Sequence, residues 1–276
     1  MTSAAPTHGV RPSPRSRLRV TAAAVTGLAG ALGLSAVTGA DAAENQEAPA
    51  ATCSAPPELL RLTRPLPHFT RKIVEGGAIR IVALGSSSTF GLGASSPAGS
   101  YPARLEAALR TAYPGRSITV VNRGINGNVT RDEMLRFDRD VLAERPDLVI
   151  WQVGTNTLLQ GKDMWSVFLD VRAGTRRLNA LGADVVLMNL QYSPRVLGRL
   201  NHPDMLDLVA VAGRETGVDV FDRFAIMKSW VEQQRYGFDV FVTADGLHMN
   251  DWAYDCLAKL MAKALERAPQ NATAGR

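Results

Sequence analysis

Three consecutive serines, Ser86, Ser87 and Ser88, follow a short, mostly apolar run at residues 79–84 after one glycine, and they lie in a glycine-rich stretch. A loop of this kind between a strand and a helix either cradles a phosphate or holds a serine nucleophile at a helix N-terminus. A P-loop requires Gly-Lys-Ser/Thr, and this loop contains no lysine; a dinucleotide fingerprint would need glycine where the chain has Ser96. The G-x-S-x-G nucleophile elbow is also absent. The loop therefore favours a serine nucleophile in a different setting.

A serine nucleophile needs a base, and histidine is nearly the only side chain that serves at neutral pH. Of the four histidines, His8 lies in a predicted leader, His68 in a proline-rich arm and His202 at the start of a helix, where a plain structural role is expected. His248 follows the last strand region, and Asp245 precedes it by three residues. In a turn that spacing puts both side chains on one side, so the carboxylate can orient the imidazole. Taken alone, the pair could equally be a helix cap with a surface histidine.

Acyl transfer also needs donors where the oxyanion develops, each worth about 3–4 kcal/mol at the transition state. Gly127 follows the second predicted strand and can present a backbone N–H at close range. Asn156 follows the third and can donate from its side-chain amide. Either alone would be an ordinary turn residue. Together with the serine run and His248 they fall on successive strand-end loops, which favours acyl transfer.

These loops need a sheet that brings their ends together. Apolar runs alternate with helical patterns, which predicts an α/β fold: a three-layer α/β/α sandwich around a mostly parallel five-stranded sheet. Ligands of such sheets bind at the carboxyl ends of the strands. Thr130 and Glu133 are predicted to form a capping box at the start of one helix. Strands are predicted at residues 79–84, 117–122, 147–153, 183–189 and 218–221, and helices at 101–112, 130–144, 163–181, 203–216, 223–235 and 251–267.

The order serine, glycine, asparagine, histidine on matching elements resembles the SGNH or GDSL-type hydrolase family, over nearly the whole predicted domain. The resemblance implies the flavodoxin-like SGNH hydrolase fold and serine ester hydrolysis with no metal and no organic cofactor. It implies that Ser87 is the nucleophile, His248 the base and Asp245 its partner. It also implies an oxyanion hole formed by the N–H groups of Ser87 and Gly127 and the Asn156 side chain.

The chain departs from the family pattern beside these residues. The family commonly has Gly-Asp-Ser in the first block, and here Ser86 replaces the aspartate. This casts doubt on the rigidity of the loop rather than on activity, and it leaves three serines to choose from. Alignment of Gly85 and Thr89 with the family block selects Ser87. In the third block Thr157 stands where the family commonly has aspartate.

Three further side chains are candidates for substrate contact. Gln191 and Tyr192 lie in the loop after the fourth predicted strand, and Trp151 lies inside the third. Packing in the core is the favoured role for Trp151. The arginine-rich stretch at residues 131–145 carries interleaved acids, which is typical of a solvated helix face.

The N-terminus is predicted to be a signal peptide. A basic stretch, an uncharged apolar run of about 18 residues and an A-x-A pattern predict cleavage after Ala42 and export to the periplasm or beyond. The alternative is a membrane anchor, because the run is near the lower limit for a span. After cleavage no stable membrane insertion is expected. The predicted parts are a signal peptide (1–42), an exposed arm or linker (43–75), an SGNH hydrolase domain (76–268) and a C-terminal tail (269–276).

Composition and charge exclude several classes of protein. The chain of 276 residues is 46% hydrophobic and 21% charged, which excludes disorder, collagen and coiled coil. Its net charge of +5 comes largely from the predicted leader, since 27 basic and 25 acidic residues remain without it. The body therefore offers no electrostatic case for nucleic acid.

Two cysteines, Cys53 and Cys256, lie near opposite ends of the predicted mature chain. In an oxidising compartment they could form one disulfide between the N-terminal arm and the last helix. Two unpaired thiols are the alternative. Neither has a partner at zinc-ligand spacing, so no metal site is predicted.

The sequence thus predicts an exported serine ester hydrolase that acts through an acyl-enzyme, on short acyl esters such as O-acetylated carbohydrate. The alternatives are a lipase or thioesterase acting on longer acyl chains, and a catalytically silent glycan-binding protein of the same fold.

Overall fold

The centre of the molecule is a sheet of five parallel strands, seen in a computed structural model that describes residues 51–273, with side chains through residue 268. The strands are β1 Ile79–Gly85, β2 Ile118–Gly124, β3 Leu148–Gln152, β4 Asp184–Met188 and β5 Asp219–Phe221. Their order is β2-β1-β3-β4-β5, and every neighbouring pair is parallel. Gly85 pairs with Gly124 at the carboxyl ends of β1 and β2, so the loops that follow these strands start side by side. The predicted parallel sheet is confirmed.

Helices cover both faces of the sheet. They are α1 Pro67–Glu75, α2 Ser87–Phe90, α3 Tyr101–Ala112, α4 Thr130–Leu135, α5 Phe137–Asp140, α6 Thr155–Leu159, α7 Trp165–Leu181, α8 Pro194–Leu197, α9 His202–Thr216, α10 Arg223–Glu232 and α11 Asp251–Thr273. Alternate residues of β1 enter different cores: Ile81 joins side chains of α1, α3, α10 and α11, whereas Val82 joins those of α5, α7 and α9. This alternation produces the predicted three-layer α/β/α sandwich.

The helix predicted at residues 130–144 is broken into α4, α5 and a 3₁₀ turn. The predicted capping box was wrong, because Asp132 rather than Glu133 accepts a hydrogen bond from the Val129 N–H, at 3.0 Å. The Glu133 carboxylate instead accepts from the indole Nε1 of Trp151, at 2.7 Å. A tertiary contact inside the core therefore replaces the local contact that the spacing predicted.

The prediction of an exposed arm was wrong for its described part, residues 51–75. Apolar side chains in this segment enter the core of the domain, although prolines interrupt any periodic pattern that would have revealed them. The buried ones are Leu60, Leu62, Leu66 and Phe69. Cys53 forms a disulfide with Cys256 of α11, which fixes the start of this segment to the last helix.

The other predicted boundaries fall partly outside the described residues. The predicted signal peptide, residues 1–42, lies outside them. Helix α11 continues to Thr273, past the predicted end of the last helix at residue 267. The boundary at 268 between domain and tail stays a prediction. Between residues 51 and 273, no helix combines the length and the hydropathy that crossing a membrane requires.

Candidate active site

Ser87 lies at a sharp transition from strand to helix. Strand β1 ends at Gly85, and Ser87 is the first residue of α2. A Cβ atom on Gly85 would lie 2.2 Å from Oγ1 of Thr89, so only glycine permits this close turn. The Ser87 Oγ lies 2.8 Å from Nε2 of His248. These two residues are 6% and 7% exposed, so the pair is shielded from bulk water without being sealed off.

Asp245 completes a hydrogen-bonded chain with His248 and Ser87. Its Oδ2 lies 2.5 Å from Nδ1 of His248. Because an ionised carboxylate only accepts, the Nδ1 atom carries the proton, and Nε2 is left to accept from the Ser87 hydroxyl. Burial opposes ionisation of Asp245, but hydrogen bonds from His248, Leu247 and Thr243 hold the pKa of its carboxyl well below its usual range. The carboxylate is therefore charged at neutral pH.

The structure separates the three serines of the run. The Oγ of Ser86 donates to Oε1 of Gln152 at 3.0 Å, and the Oγ of Ser88 accepts from Nε2 of Gln191 at 3.2 Å. Among the three, the hydroxyl of Ser87 is the one that meets His248. The geometry thus agrees with the choice of Ser87.

Gln152, at the end of β3, holds the loop at residues 85–89 that carries Ser87. Its Oε1 accepts from the backbone N–H and the hydroxyl of Ser86 and from the hydroxyl of Thr89, at 3.0, 3.0 and 3.2 Å. The side chain is 2% exposed. Sequence reasoning missed this residue; the signal available was a polar residue ending an otherwise apolar strand that is adjacent to β1.

Of the expected oxyanion donors, Gly127 lies on the loop after β2, and Asn156 is the second residue of α6, which follows β3. Gly127 has a φ of +80°, which favours glycine, and a Cβ atom there would meet nothing within 4 Å. Within the described residues, the backbone N–H groups of Ser87 and Gly127 donate to no other group. The Nδ2 of Asn156 donates to the carbonyl of Asn128 at 2.9 Å, and an amide nitrogen carries a second proton. The donors required for an oxyanion hole are therefore present on neighbouring segments.

Arg136 corrects the prediction of a solvated arginine face at residues 131–145. Its side chain is 8% exposed. Its guanidinium donates to the carbonyl of Gly85 at 2.9 Å, to Oδ1 of Asn128 at 2.8 Å and to Oδ2 of Asp140 at 2.7 Å. It therefore ties the end of β1 to the loop that carries Gly127.

The remaining candidate residues have other roles. Trp151 is fully buried, as its predicted place in the core required. Gln191 is 1% exposed and bonded to protein groups, so its predicted contact with substrate was wrong. Tyr192 is half-buried, and its ring packs against Phe224 and Phe238. These contacts leave a role in substrate binding untested.

The other two histidines between residues 51 and 273 lie outside the hydrogen-bonded chain, and His8 lies outside the described residues. His68 lies 3.5 Å from Arg71, and His202 interacts with the carbonyl of Arg199 and stacks on Phe224.

Glu133 is an ionisable group buried beneath the site. Burial raises the pKa of Glu133 to about 8, although Trp151 and Arg136 act to lower it. The group is therefore largely protonated at neutral pH.

Comparison with known proteins agrees with this site. The sequence profile of the Non-GDSL lipase-like family matches residues 52–271. An acetylxylan esterase from Geobacillus stearothermophilus is 35% identical over 92 residues, which make up 33% of this chain and 39% of that protein. The chain thus matches well under half of this curated relative.

Two solved structures share the fold. A two-domain esterase active on acetylated mannans has a TM-score of 0.65 at 20% identity, over 76% of this chain and 56% of that chain. A crystal structure of an acetylxylan esterase from Geobacillus stearothermophilus has a TM-score of 0.59 at 22% identity, over 68% and 95% of the two chains. The family match and the shared fold confirm the resemblance to SGNH/GDSL-type hydrolases.

Proposed function

Because the chain belongs to the Non-GDSL lipase-like family, we propose that it is a carboxylic ester hydrolase that acts through an acyl-enzyme formed on Ser87. The observation that carries the proposal is the hydrogen-bonded chain from Ser87 through His248 to Asp245. Such a chain is the arrangement that activates a serine hydroxyl at neutral pH.

Acylation begins when His248 takes the hydroxyl proton of Ser87 as the oxygen attacks the ester carbonyl. Asp245 stabilises the imidazolium that forms and keeps its ring oriented. The protonated imidazole then gives its proton to the leaving alcohol as the C–O bond breaks. Water, activated by the same base, attacks the acyl-serine and releases the acid.

The oxyanion of each tetrahedral intermediate is assigned to the N–H groups of Ser87 and Gly127 and to the side chain of Asn156. The two backbone donors are free of other partners within the described residues. The Asn128 carbonyl fixes the Asn156 amide through one of its protons and leaves the other available. Donors held in place before the reaction need no reorganisation as charge develops.

O-acetylated carbohydrate is the proposed substrate class. The support is the printed activity of the relatives, an acetylxylan esterase and an esterase active on acetylated mannans. Acetyl removal requires only a small acyl site next to Ser87.

The proposal is tested with a series of esters of increasing acyl length and with acetylated polysaccharides. Hydrolysis of 4-nitrophenyl acetate, butyrate, octanoate and palmitate, and acetate release from acetylated xylan and mannan, are measured for the wild type and Ser87→Ala. We expect the wild type to prefer the acetyl ester. We also expect it to release acetate from the polysaccharides, whereas Ser87→Ala should release none. A preference for long chains would indicate a lipase or thioesterase, and binding of acetylated glycan without hydrolysis would indicate a binding protein.

Export through the leader at residues 1–42 is also proposed. The support is the disulfide between Cys53 and Cys256, because disulfides persist in oxidising compartments. The intact mass of protein recovered outside the cytoplasm tests this, with a chain that begins at Ala43 expected. A chain that retains its leader would contradict it.

A further inference from the structure

Gln191 lies beneath the candidate site and contacts three of its segments: α2, α6 and the turn that carries His248. Its Nε2 lies 3.2 Å from Oγ of Ser88 and 3.5 Å from the carbonyl oxygen of Leu247. Its Oε1 accepts from the hydroxyl of Thr155 at 3.1 Å. The site residues that directly adjoin these three partners in the chain are Ser87, His248 and Asn156. One buried amide therefore contacts three residues, and each of them is next in the chain to the nucleophile, the base or an oxyanion donor.

Arg223 determines which end of this amide faces which segment. Its Nη2 donates to Oε1 of Gln191 at 2.8 Å. A guanidinium only donates, and the carbonyl of Leu247 only accepts, so Oε1 must face Arg223 and Nε2 must face Leu247. The opposite orientation would place donor against donor and acceptor against acceptor. The chemistry at both ends thus selects one arrangement.

Arg223 is itself held by hydrogen bonds to the loop after β4. It is the first residue of α10, is completely buried, and donates to the carbonyl of Asn189 through Nε and Nη2 at 3.1 and 2.7 Å. Within the described part of the chain it forms no ion pair with a carboxylate. A buried cation is stabilised here by oxygen dipoles, and one of them belongs to Gln191.

We propose that Gln191 is a positioning residue that sets the start of α2, the start of α6 and the turn at residues 243–248 at their mutual distances, with Arg223 as its anchor. The inference rests on the proposed function. Gln191 touches neither substrate nor the reacting atoms, and it acts through Ser88, Thr155 and Leu247. Its loss should therefore lower kcat more than it raises KM, because small displacements of reacting groups cost about a hundredfold in rate per ångström.

Gln191→Met tests this inference, since methionine keeps the length and volume of glutamine but makes none of its hydrogen bonds. Val185→Ala is the matched control, because it removes buried methyl groups from β4 and lowers Tm without changing a polar contact. For both variants kcat and KM for 4-nitrophenyl acetate are measured well below Tm. The downfield NMR resonance of the His248 Nδ1 proton is recorded as a readout that needs no turnover.

We expect Gln191→Met to lower kcat by about tenfold to a hundredfold with a smaller change in KM, and to shift or broaden the His248 resonance. In Val185→Ala, the kcat value and the His248 resonance should stay near those of the wild type. A Gln191→Met variant that loses only Tm would overturn the inference. If the wild type hydrolyses no ester, the proposed function fails. The His248 resonance then tests the positioning role by itself. An unchanged resonance in Gln191→Met would overturn that role, and a changed resonance would support it.

Discussion

The backbone of the turn that carries Asp245 and His248 is shaped by a side chain of the turn itself, whereas the loop that carries Ser87 is held by a side chain of the neighbouring strand β3. Oδ1 of Asp245 accepts from the N–H groups of Leu247 and His248, at 2.8 and 2.9 Å. The serine loop is instead held by Gln152, which is more than sixty residues away in the chain.

The difference shows two ways in which a catalytic side chain is positioned: by a residue of the same turn, or by a residue of a neighbouring strand. In the histidine turn, the residue that is assigned a catalytic role is also the one that shapes the backbone. In the serine loop these tasks are separate, because Gln152 shapes the loop and Ser87 is left free to react. Removal of the Asp245 side chain should therefore lower stability and activity together, whereas in the serine loop the two tasks belong to different residues.

The largest effect is expected from Asp245→Asn. The amide still has an oxygen for the N–H groups of Leu247 and His248, so the turn should persist and Tm should change little. Without the carboxylate, the imidazole loses its orientation and its charge partner, and kcat should fall by about 10⁴-fold. Kinetics and thermal unfolding measure the two effects.

Asp245→Ala should add a loss of Tm to the same loss of kcat, because it also removes the acceptor that shapes the turn. A Tm for Asp245→Ala equal to that of Asp245→Asn would show that the turn does not depend on this side chain.

A smaller effect is expected from Glu133→Gln, which tests the scaffold beneath the loops. The pKa of Glu133 is raised from its ordinary 4.5 to about 8. The folded state thus retains a proton that the unfolded chain releases in this window, and its stability falls as pH rises from 4.5 to 8. Glutamine cannot ionise, so Glu133→Gln should gain about 2–4 kcal/mol of unfolding free energy relative to the wild type between pH 5 and pH 8. Denaturant unfolding at both pH values measures the gain.

Glu58→Gln is the control for this comparison, because Glu58 is an exposed carboxylate in the N-terminal segment. It should show almost no relative gain across the same pH range. Equal gains in the two variants would mean that Glu133 does not titrate above its ordinary value.

The smallest effect is expected from Gln152→Met, which leaves both donors of Ser86 and the hydroxyl of Thr89 without their acceptor. The free energy of unfolding should fall by about 1–3 kcal/mol and kcat/KM by about tenfold. Ser86→Ala removes one of the three donors, so it should lower both the free energy of unfolding and kcat/KM by less than Gln152→Met does. If Ser86→Ala costs more than Gln152→Met, the hydroxyl of Ser86 acts by another route.

Local pattern was enough to predict the strands and the Asp245 to His248 spacing, because both depend on residues close together in the chain. The five strands came within two residues of their observed bounds, since continuous apolar runs between turns leave few alternatives. Asp245 could be paired with His248 for the same local reason.

Contacts between distant residues could not be predicted in this way. Arg136 has the spacing of a solvated helix residue, but its side chain is buried and bonded to Gly85 and Asn128. Gln191 follows a strand like a ligand-binding residue but is enclosed by three segments of the site. Each role depends on which strands become neighbours, and periodicity carries no information on that.

The most direct test of the central claim is the intact mass of the protein after treatment with a fluorophosphonate. The wild type, Ser86→Ala and Ser88→Ala should each gain one adduct, and a folded Ser87→Ala variant should gain none. That result would establish Ser87 as an activated nucleophile. Absence of an adduct on the folded wild type, or an adduct that persists on Ser87→Ala, would contradict the assignment.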